Sequence, residues 1–317
     1  YGLAAFFTRV DRREGTGVAE RRANETVLIK ASGSVKHPVT GEVVKPRGLG
    51  GPELDVPPYA DPRHRLVDWM AAPENPYFAR AFVNRMWAHC FGRGLVEPID
   101  DLRVTNPATN PALLRALADE FIASGFDMRH VLRLITTSTT YQLDSSANLD
   151  NLDETTGHSR FYPQRLSAEM LLDSIDQVTS RPTSYSGLPN GTRAMQLPDE
   201  GYSNQFLKLF GRPPRESACE CERTADPSLS QSLFSLNDGF LLGKIFDPKS
   251  SAAKLASGDG DHVSRVRRLF LLALSRPATA VEVEKAVKYI DSETDAKTAY
   301  SNLMWALINT KEFQYNH

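Results

Sequence analysis

Among the places where this chain sets Asp or Asn directly before proline, four stand out: Asp61-Pro62, Asn75-Pro76, Asn110-Pro111 and Asp226-Pro227. Each pair reads as a helix start. The short side chain accepts a backbone N–H that the first turn leaves unpaired, and proline has no N–H to lose and a φ already suited to the helix. Thr279 followed by Glu282 adds a capping box, and Gly92 and Gly125 read as stops after periodic segments. Between these marks apolar residues recur at helical spacing, as in Leu113, Leu114, Leu117, Phe121 and Ile122. The spacing predicts helices near 62–71, 76–91, 111–124, 128–140, 167–179, 203–209, 227–245, 262–275, 280–291 and 295–309. The expected fold class is therefore mainly α, a multi-helix, bundle-like domain with a small N-terminal β-ribbon.

That ribbon is expected within 26–60. Thr26 to Ile29 is a strand signal, and Thr40-Gly41 reads as a turn between Val39 and Val43-Val44. Pro46 to Pro62 is too rich in Pro and Gly to hold a helix, and Arg9 to Asn24, charged and Gly-containing, reads as a loop. Asp247 to Asp261 reads as a flexible Ser/Gly/Ala connection. The division expected is a tail of a preceding domain (1–25), the ribbon and its connection (26–60), a main helical domain (61–246), a linker (247–261) and a C-terminal helical subdomain (262–317).

Charge is nearly balanced, 37 Lys+Arg against 39 Asp+Glu, which argues against a nucleic-acid partner. No apolar run exceeds six residues, the length of Leu269 to Leu274, which is far too short to span a membrane. Three cysteines are too few for a disulfide framework. The chain opens at Tyr1, already in helix-like sequence, so it reads as a fragment or processed product, and a missing signal peptide says nothing of compartment.

Asn75 to Gly94 is unusually crowded. On a helical wheel Phe78, Ala79, Phe82, Val83, Met86, Trp87, Cys90 and Phe91 cover an arc of roughly 220°, so the helix is expected to be buried on most sides. Arg80, Asn84, Arg85 and His89 are then expected to be mostly buried, with an arginine paired to Asp100 or Asp101, because an unpartnered buried charge is costly. Two readings stand side by side: a central core helix with an Arg/Asp network locking the next loop, or a pocket where Arg85, His89, Arg93 and Asp100 or Asp101 meet a ligand.

The densest chemistry is Cys219-Glu220-Cys221-Glu222-Arg223. In an extended segment the two thiols project to one side. That suits a shared metal, a strained disulfide, or a structural segment in which Arg223 pairs with Glu220 or Glu222. The segment is expected to lie against helix 76–91 and join the Arg85 network. The candidate functional cluster is thus Asn84, Arg85, His89, Arg93, Asp100, Asp101, Cys219, Glu220, Cys221, Glu222 and Arg223, with Cys219 and Cys221 as candidate metal ligands. No nucleophile elbow, phosphate loop, dinucleotide fingerprint or zinc-protease motif is present. Thr136 to Gln142 reads as a helix end whose hydroxyls bond the local backbone.

Several stretches together resemble the family called domain of unknown function 1553: Arg65 to Trp69, Asn75 to Arg80, Asn84 to Trp87, Phe91 to Val96, Asp100-Asp101, Ser138 to Gln142, Arg165 to Glu169, Cys219 to Arg223 with Leu229 to Asn237, and Trp305 to Phe313. Residues 1–24 resemble the tail of domain of unknown function 1549. The resemblance implies a large extracytoplasmic protein of planctomycete-type bacteria, periplasmic or at the cell surface, often with a cytochrome-c-like domain. No cofactor is expected in these residues; haem would belong to that other domain, and the expected partners are other domains of the parent protein. The resemblance brings no catalytic residue.

Three functions remain in view: a non-catalytic scaffold or docking module in a redox-linked system, a thiol redox or metal function at Cys219 and Cys221, and hydrolysis of an extracellular polymer such as a glycan. The last would use Asp100 with Glu220 or Glu222, at the roughly 5–9.5 Å carboxylate spacing that such chemistry needs.

Overall fold

The computed structural model describes residues 1–13, 26–198, 201–202, 204–213 and 238–316. They form two compact units, Tyr1–Leu143 with Leu152–Ser159, and Asp144–Asn151 with Arg160–His317. Helix dominates and the strands are short antiparallel pairs, as expected of a mainly α chain.

Unit 1 opens with helix α1 (Gly2–Ala5) and two ribbons. Strand β1 (Val10–Arg13) pairs with β2 (Thr26–Ile29), Val10 opposite Ile29, and β3 (Val35–Lys36) pairs with β4 (Val43–Val44). Residues 10–13 thus correct the loop expected over 9–24. The ribbon is solvent-facing, so charges are tolerated there, and Asp11 forms an ion pair with Lys30 at 3.2 Å. The Pro/Gly stretch that follows is held by Arg9, whose guanidinium donates to the carbonyls of Val56, Pro57 and Ala60. Gly48 lies against the Trp69 indole so closely that a Cβ there would collide with the ring.

Four helices complete this unit: α2 (Pro62–Ala71), α3 (Phe78–Phe91), α4 (Pro111–Ala123) and α5 (Met128–Thr136). Asp61 and Asn110 cap α2 and α4 as the sequence dictates. Asn75 accepts from both Tyr77 and Phe78 N–H, so α3 starts two residues later than expected. Gly92 ends α3 at φ 75°, a left-handed conformation that glycine adopts without strain. Helix α5 stops at Thr136, short of the expected 140. There the Thr136, Thr137 and Ser138 hydroxyls bond the carbonyls of Leu132, Arg133 and Ile135, as read for that segment. Val83, Trp87, Phe91, Leu114, Leu117, Phe121, Val131 and Ile135 make the core, with Phe82 stacked on Phe121 at 4.3 Å.

Unit 2 is built around α6 (Ala168–Thr179). A 3-10 turn (Ala194–Gln196), α7 (Gln205–Leu209) and α8 (Gly239–Ile245) follow. Of the helix expected over 227–245, the part before 238 lies outside the described residues. The connection expected at 247–261 is corrected by α9 (Ser251–Ala256): Ser250 caps it, and Ala252, Ala253 and Ala256 are buried. Small side chains that looked like linker composition are what lets this helix pack closely. Helices α10 (His262–Leu274), α11 (Ala280–Ser292), α12 (Ala296–Ile308) and α13 (Lys311–Gln314) close the bundle, with the expected capping box at Thr279 and Glu282. Strand β5 (Gln164–Arg165) pairs with β6 (Tyr315–Asn316), a ribbon the sequence did not suggest because each strand is two residues long. Leu171, Leu172, Phe206, Leu207, Leu241, Ile245, Leu269, Tyr300 and Met304 fill the core. Each side chain of this size taken fully out of water contributes about 1.5–3 kcal/mol.

Candidate functional site

The six unit 1 candidates take different parts. Asn84 is fully buried on α3, where its amide donates to the Val96 and Ile99 carbonyls and its Oδ1 accepts from Val96 N–H. It is a clasp for the loop after Gly92. Gly94 passes so near it that an added Cβ would strike the Asn84 amide and the Val96 carbonyl. Arg85 binds Asp100 with both branches, Nε to Oδ1 and Nη2 to Oδ2 at 2.8 Å each, as the sequence pairing proposed. The pair is exposed, however, at 43% and 49%. Asp101 pairs instead with Arg103 at 2.7 Å.

The expected burial of Arg80, Arg85 and His89 is therefore corrected: all three are exposed, and of the four polar residues only Asn84 is enclosed. The apolar arc of α3 is wider than the face its neighbours cover: Phe78 is 37% exposed and Phe82 and Met86 are only partly covered. An exposed ion pair contributes about 0–1 kcal/mol. Arg85→Ala is accordingly expected to lower unit 1 stability by no more than about 1 kcal/mol in urea unfolding; a loss several times larger would make the pair central.

Arg93 is half-buried, and its Nε meets no acceptor among the described residues. Beside it stands His158, 7% exposed, whose Nε2 accepts the Trp87 indole N–H at 3.1 Å. Burial pushes the imidazole below its usual value; Glu154 pulls the other way less strongly, and the Arg93 charge adds a smaller downward push. Nothing in the sequence around His158 marked it, because the partners lie on α3, 71 residues away.

The denser polar arrangement is in unit 2. Glu169, Asp173 and Asp176 fall within about 60° on α6 at 100° per residue, flanking the Leu171, Leu172 and Ile175 face. Glu169 meets Arg212 Nε at 3.7 Å, both side chains almost fully enclosed, and Arg212 also donates to the Tyr202 carbonyl. Asp173 accepts from Ala194 N–H at 2.6 Å, Met195 N–H at 3.3 Å and Arg193 Nε at 3.2 Å, so it caps the 3-10 turn from outside. Asp176 accepts from Thr183 N–H at 2.6 Å and its hydroxyl at 3.1 Å, and pairs with Lys244 at 2.7 Å. Lys244 donates in turn to the Arg181 carbonyl and the Thr183 hydroxyl. Tyr185 turns its hydroxyl inward, where it finds no hydrogen-bond partner among the described residues. Burial, reinforced by Asp176 and Asp173, holds that phenol up at about 12, so it stays protonated at neutral pH.

Each acid of this ladder thus ties a different loop to one helix: 181–183, 193–195, and Arg212. The i, i+4, i+7 spacing was legible, but only partners distant in sequence distinguish a buried ladder from a solvated face. Over Lys244 lies an open pocket of about 280 Å³ lined by Arg181, Thr183, Phe240 and Asp247. Its charges are already engaged: Arg181 pairs with Asp247 at 3.0 Å, and Lys244 sits 4.8 Å from the Phe240 ring centre. Farther along the unit, Arg276 holds Glu282 and Glu312 together, and the guanidinium keeps the Glu282 carboxyl at about 2.

Cys219, Glu220, Cys221, Glu222 and Arg223, with their expected approach to helix 76–91, lie outside the described residues. Cys90 is buried on α3, and its enclosure raises the thiol. Among the described residues no group of three or more His, Cys, Asp or Glu is placed to hold a metal, and no helix is long and apolar enough to cross a membrane.

Fold and site together define a mainly helical protein in which charged side chains bind loops onto helices. Residues 62–290 match the family described as "Protein of unknown function (DUF1553)", PSD1, and the chain belongs to that family. No curated protein and no solved structure gives a match.

Proposed function

We propose that this chain is a non-catalytic helical module, a scaffold or docking domain of a larger extracytoplasmic protein in a redox-linked system, with residues 1–25 the tail of a preceding domain. One observation carries the reading: each acid of the α6 ladder is engaged by side chains or backbone N–H groups of its own unit. A general acid or nucleophile needs a carboxyl that faces substrate. Asp100, the acid named for hydrolysis, is likewise occupied by both branches of Arg85. The partners of such a module are other domains of the parent protein, and the compartment follows the family resemblance, periplasmic or cell-surface.

The test is calorimetric titration of this chain with the separately produced neighbouring domains of its parent. Saturable binding is expected. Release of sugar from an extracellular polymer, lost in Asp100→Asn, would overturn the reading in favour of hydrolysis.

A thiol function at Cys219 and Cys221 is the second reading. It is supported by the burial of Cys90, which leaves any thiol chemistry of this chain to those two residues. Titration with a thiol reagent, before and after reduction, decides it. A reversible two-electron couple lost in Cys219→Ser favours redox, and two inert thiols exclude it.

A further inference from the structure

We propose that Leu152–Ser159 is a strap held against α3 through its one buried residue, His158, and loosened when that residue takes up a proton. The strap belongs to unit 1, although the residues on both sides of it, 144–151 and from 160 onward, belong to unit 2. His158 is its one buried residue, and its one apolar side chain, Leu152, is 61% exposed. Glu154 shapes the strap from within, accepting from Thr156 N–H and Gly157 N–H at 2.6 Å and from the Ser159 hydroxyl at 3.3 Å. Those bonds make a turn; they do not bind it to α3. What meets α3 is the imidazole, which stands edge-on to the Trp87 ring at 5.2 Å and beside Phe91 at 5.0 Å.

The hydrogen bond fixes the protonation state. An indole nitrogen only donates, so His158 Nε2 must offer its lone pair, and the ring proton is on Nδ1. Adding a second proton places N–H against N–H at 3.1 Å and puts a full charge where water is excluded. The groups that face the ring act in both directions. From the strap, Glu154 favours the charged form; from the turn after α3, Arg93 opposes it, as burial does more strongly; Trp87 and Phe91, from α3 itself, carry no charge. The backbone adds to the bias, because His158 is held at φ 52°, a left-handed conformation that costs a non-glycine residue energy until it is let go.

The direction of the pH dependence follows. A histidine whose proton affinity is lowered in the docked state gives its full contribution above its ordinary value near 6.5 and loses it as pH falls below that.

Hydrogen exchange of the full chain read by mass spectrometry, corrected for the intrinsic effect of pH, tests this from about pH 7.5 to about pH 4.5. Peptides covering 152–159 are expected to lose protection below 6.5, while peptides from α6 keep theirs. In His158→Gln the side-chain oxygen can still accept the indole N–H but takes up no proton, and the step is expected to vanish. Trp87→Phe removes the donor that favours the neutral ring, and the step is expected to move to higher pH, which keeps the test open if the glutamine variant folds poorly. A strap equally protected across the range, or a step unchanged in His158→Gln, overturns the proposal.

Discussion

Lys244→Met is expected to destabilise unit 2 by about 3–5 kcal/mol, the usual consequence of leaving one member of a buried ion pair alone. Lys244 is 9% exposed and Asp176 15%, and the ammonium also satisfies the Arg181 carbonyl and the Thr183 hydroxyl. Methionine matches the length of the aliphatic stem but returns none of those three bonds. Asp176 then keeps its charge with only Thr183 to solvate it. Urea unfolding followed by circular dichroism measures the loss, and adding Asp176→Asn to the same chain is expected to recover part of it. If the single change costs under about 1 kcal/mol, water reaches the pair and the ladder is not the clamp described.

Asn84→Leu is expected to have a comparable effect on unit 1. Leucine keeps asparagine's branching and heavy-atom count but is bulkier, so some overpacking adds to the loss of hydrogen bonds. Val96 N–H and the carbonyls of Val96 and Ile99 lose their partner in a fully enclosed place. Each buried group left unpaired costs about 1–3 kcal/mol, giving about 3–5 kcal/mol for the set after partial relaxation. Because the clasp holds the loop that carries Asp100, the Arg85 pair should loosen with it. Faster exchange of the amides at 94–101 would show that, and a loop as protected as before would show that Asn84 is dispensable.

Much of the fold was legible because helix ends are written locally. Asp61, Asn110 and Thr279 accept the N–H groups their positions implied, and Gly92 has the backbone its position demanded. What misled was composition taken as conformation. The charges of Val10–Arg13 hid an exposed strand, and the alanines of Ser251–Ala256 passed for a linker until their neighbours turned burial into a reason for small side chains.

The site was harder still. Arg85 with Asp100 could be proposed because a tight turn brings near sequence into contact, and that pair formed. Its burial was misjudged because an apolar arc shows only which face could be covered, while coverage depends on partners the wheel does not contain. Glu169 with Arg212, Asp176 with Lys244 and Trp87 with His158 join positions far apart in the chain. One sequence gives no signal of such pairings beyond the presence of the residues.

The two-residue ribbon joining 164–165 to 315–316 bears on how this protein is made. Gln164 N–H donates to the Asn316 side chain across 152 residues, and Leu166 N–H donates to the Gln314 carbonyl beside it. During synthesis unit 1 has all its helices before residue 160 is followed by much else, and its contacts can form as the chain emerges. Unit 2 is in the opposite position. Its first strand waits for a partner that is translated after every helix of the unit. Closing so long a loop is slow relative to the local pairing of helices. A half-made chain therefore carries a finished first unit and an unsealed second one, and the second is where a chaperone would find exposed apolar surface to hold.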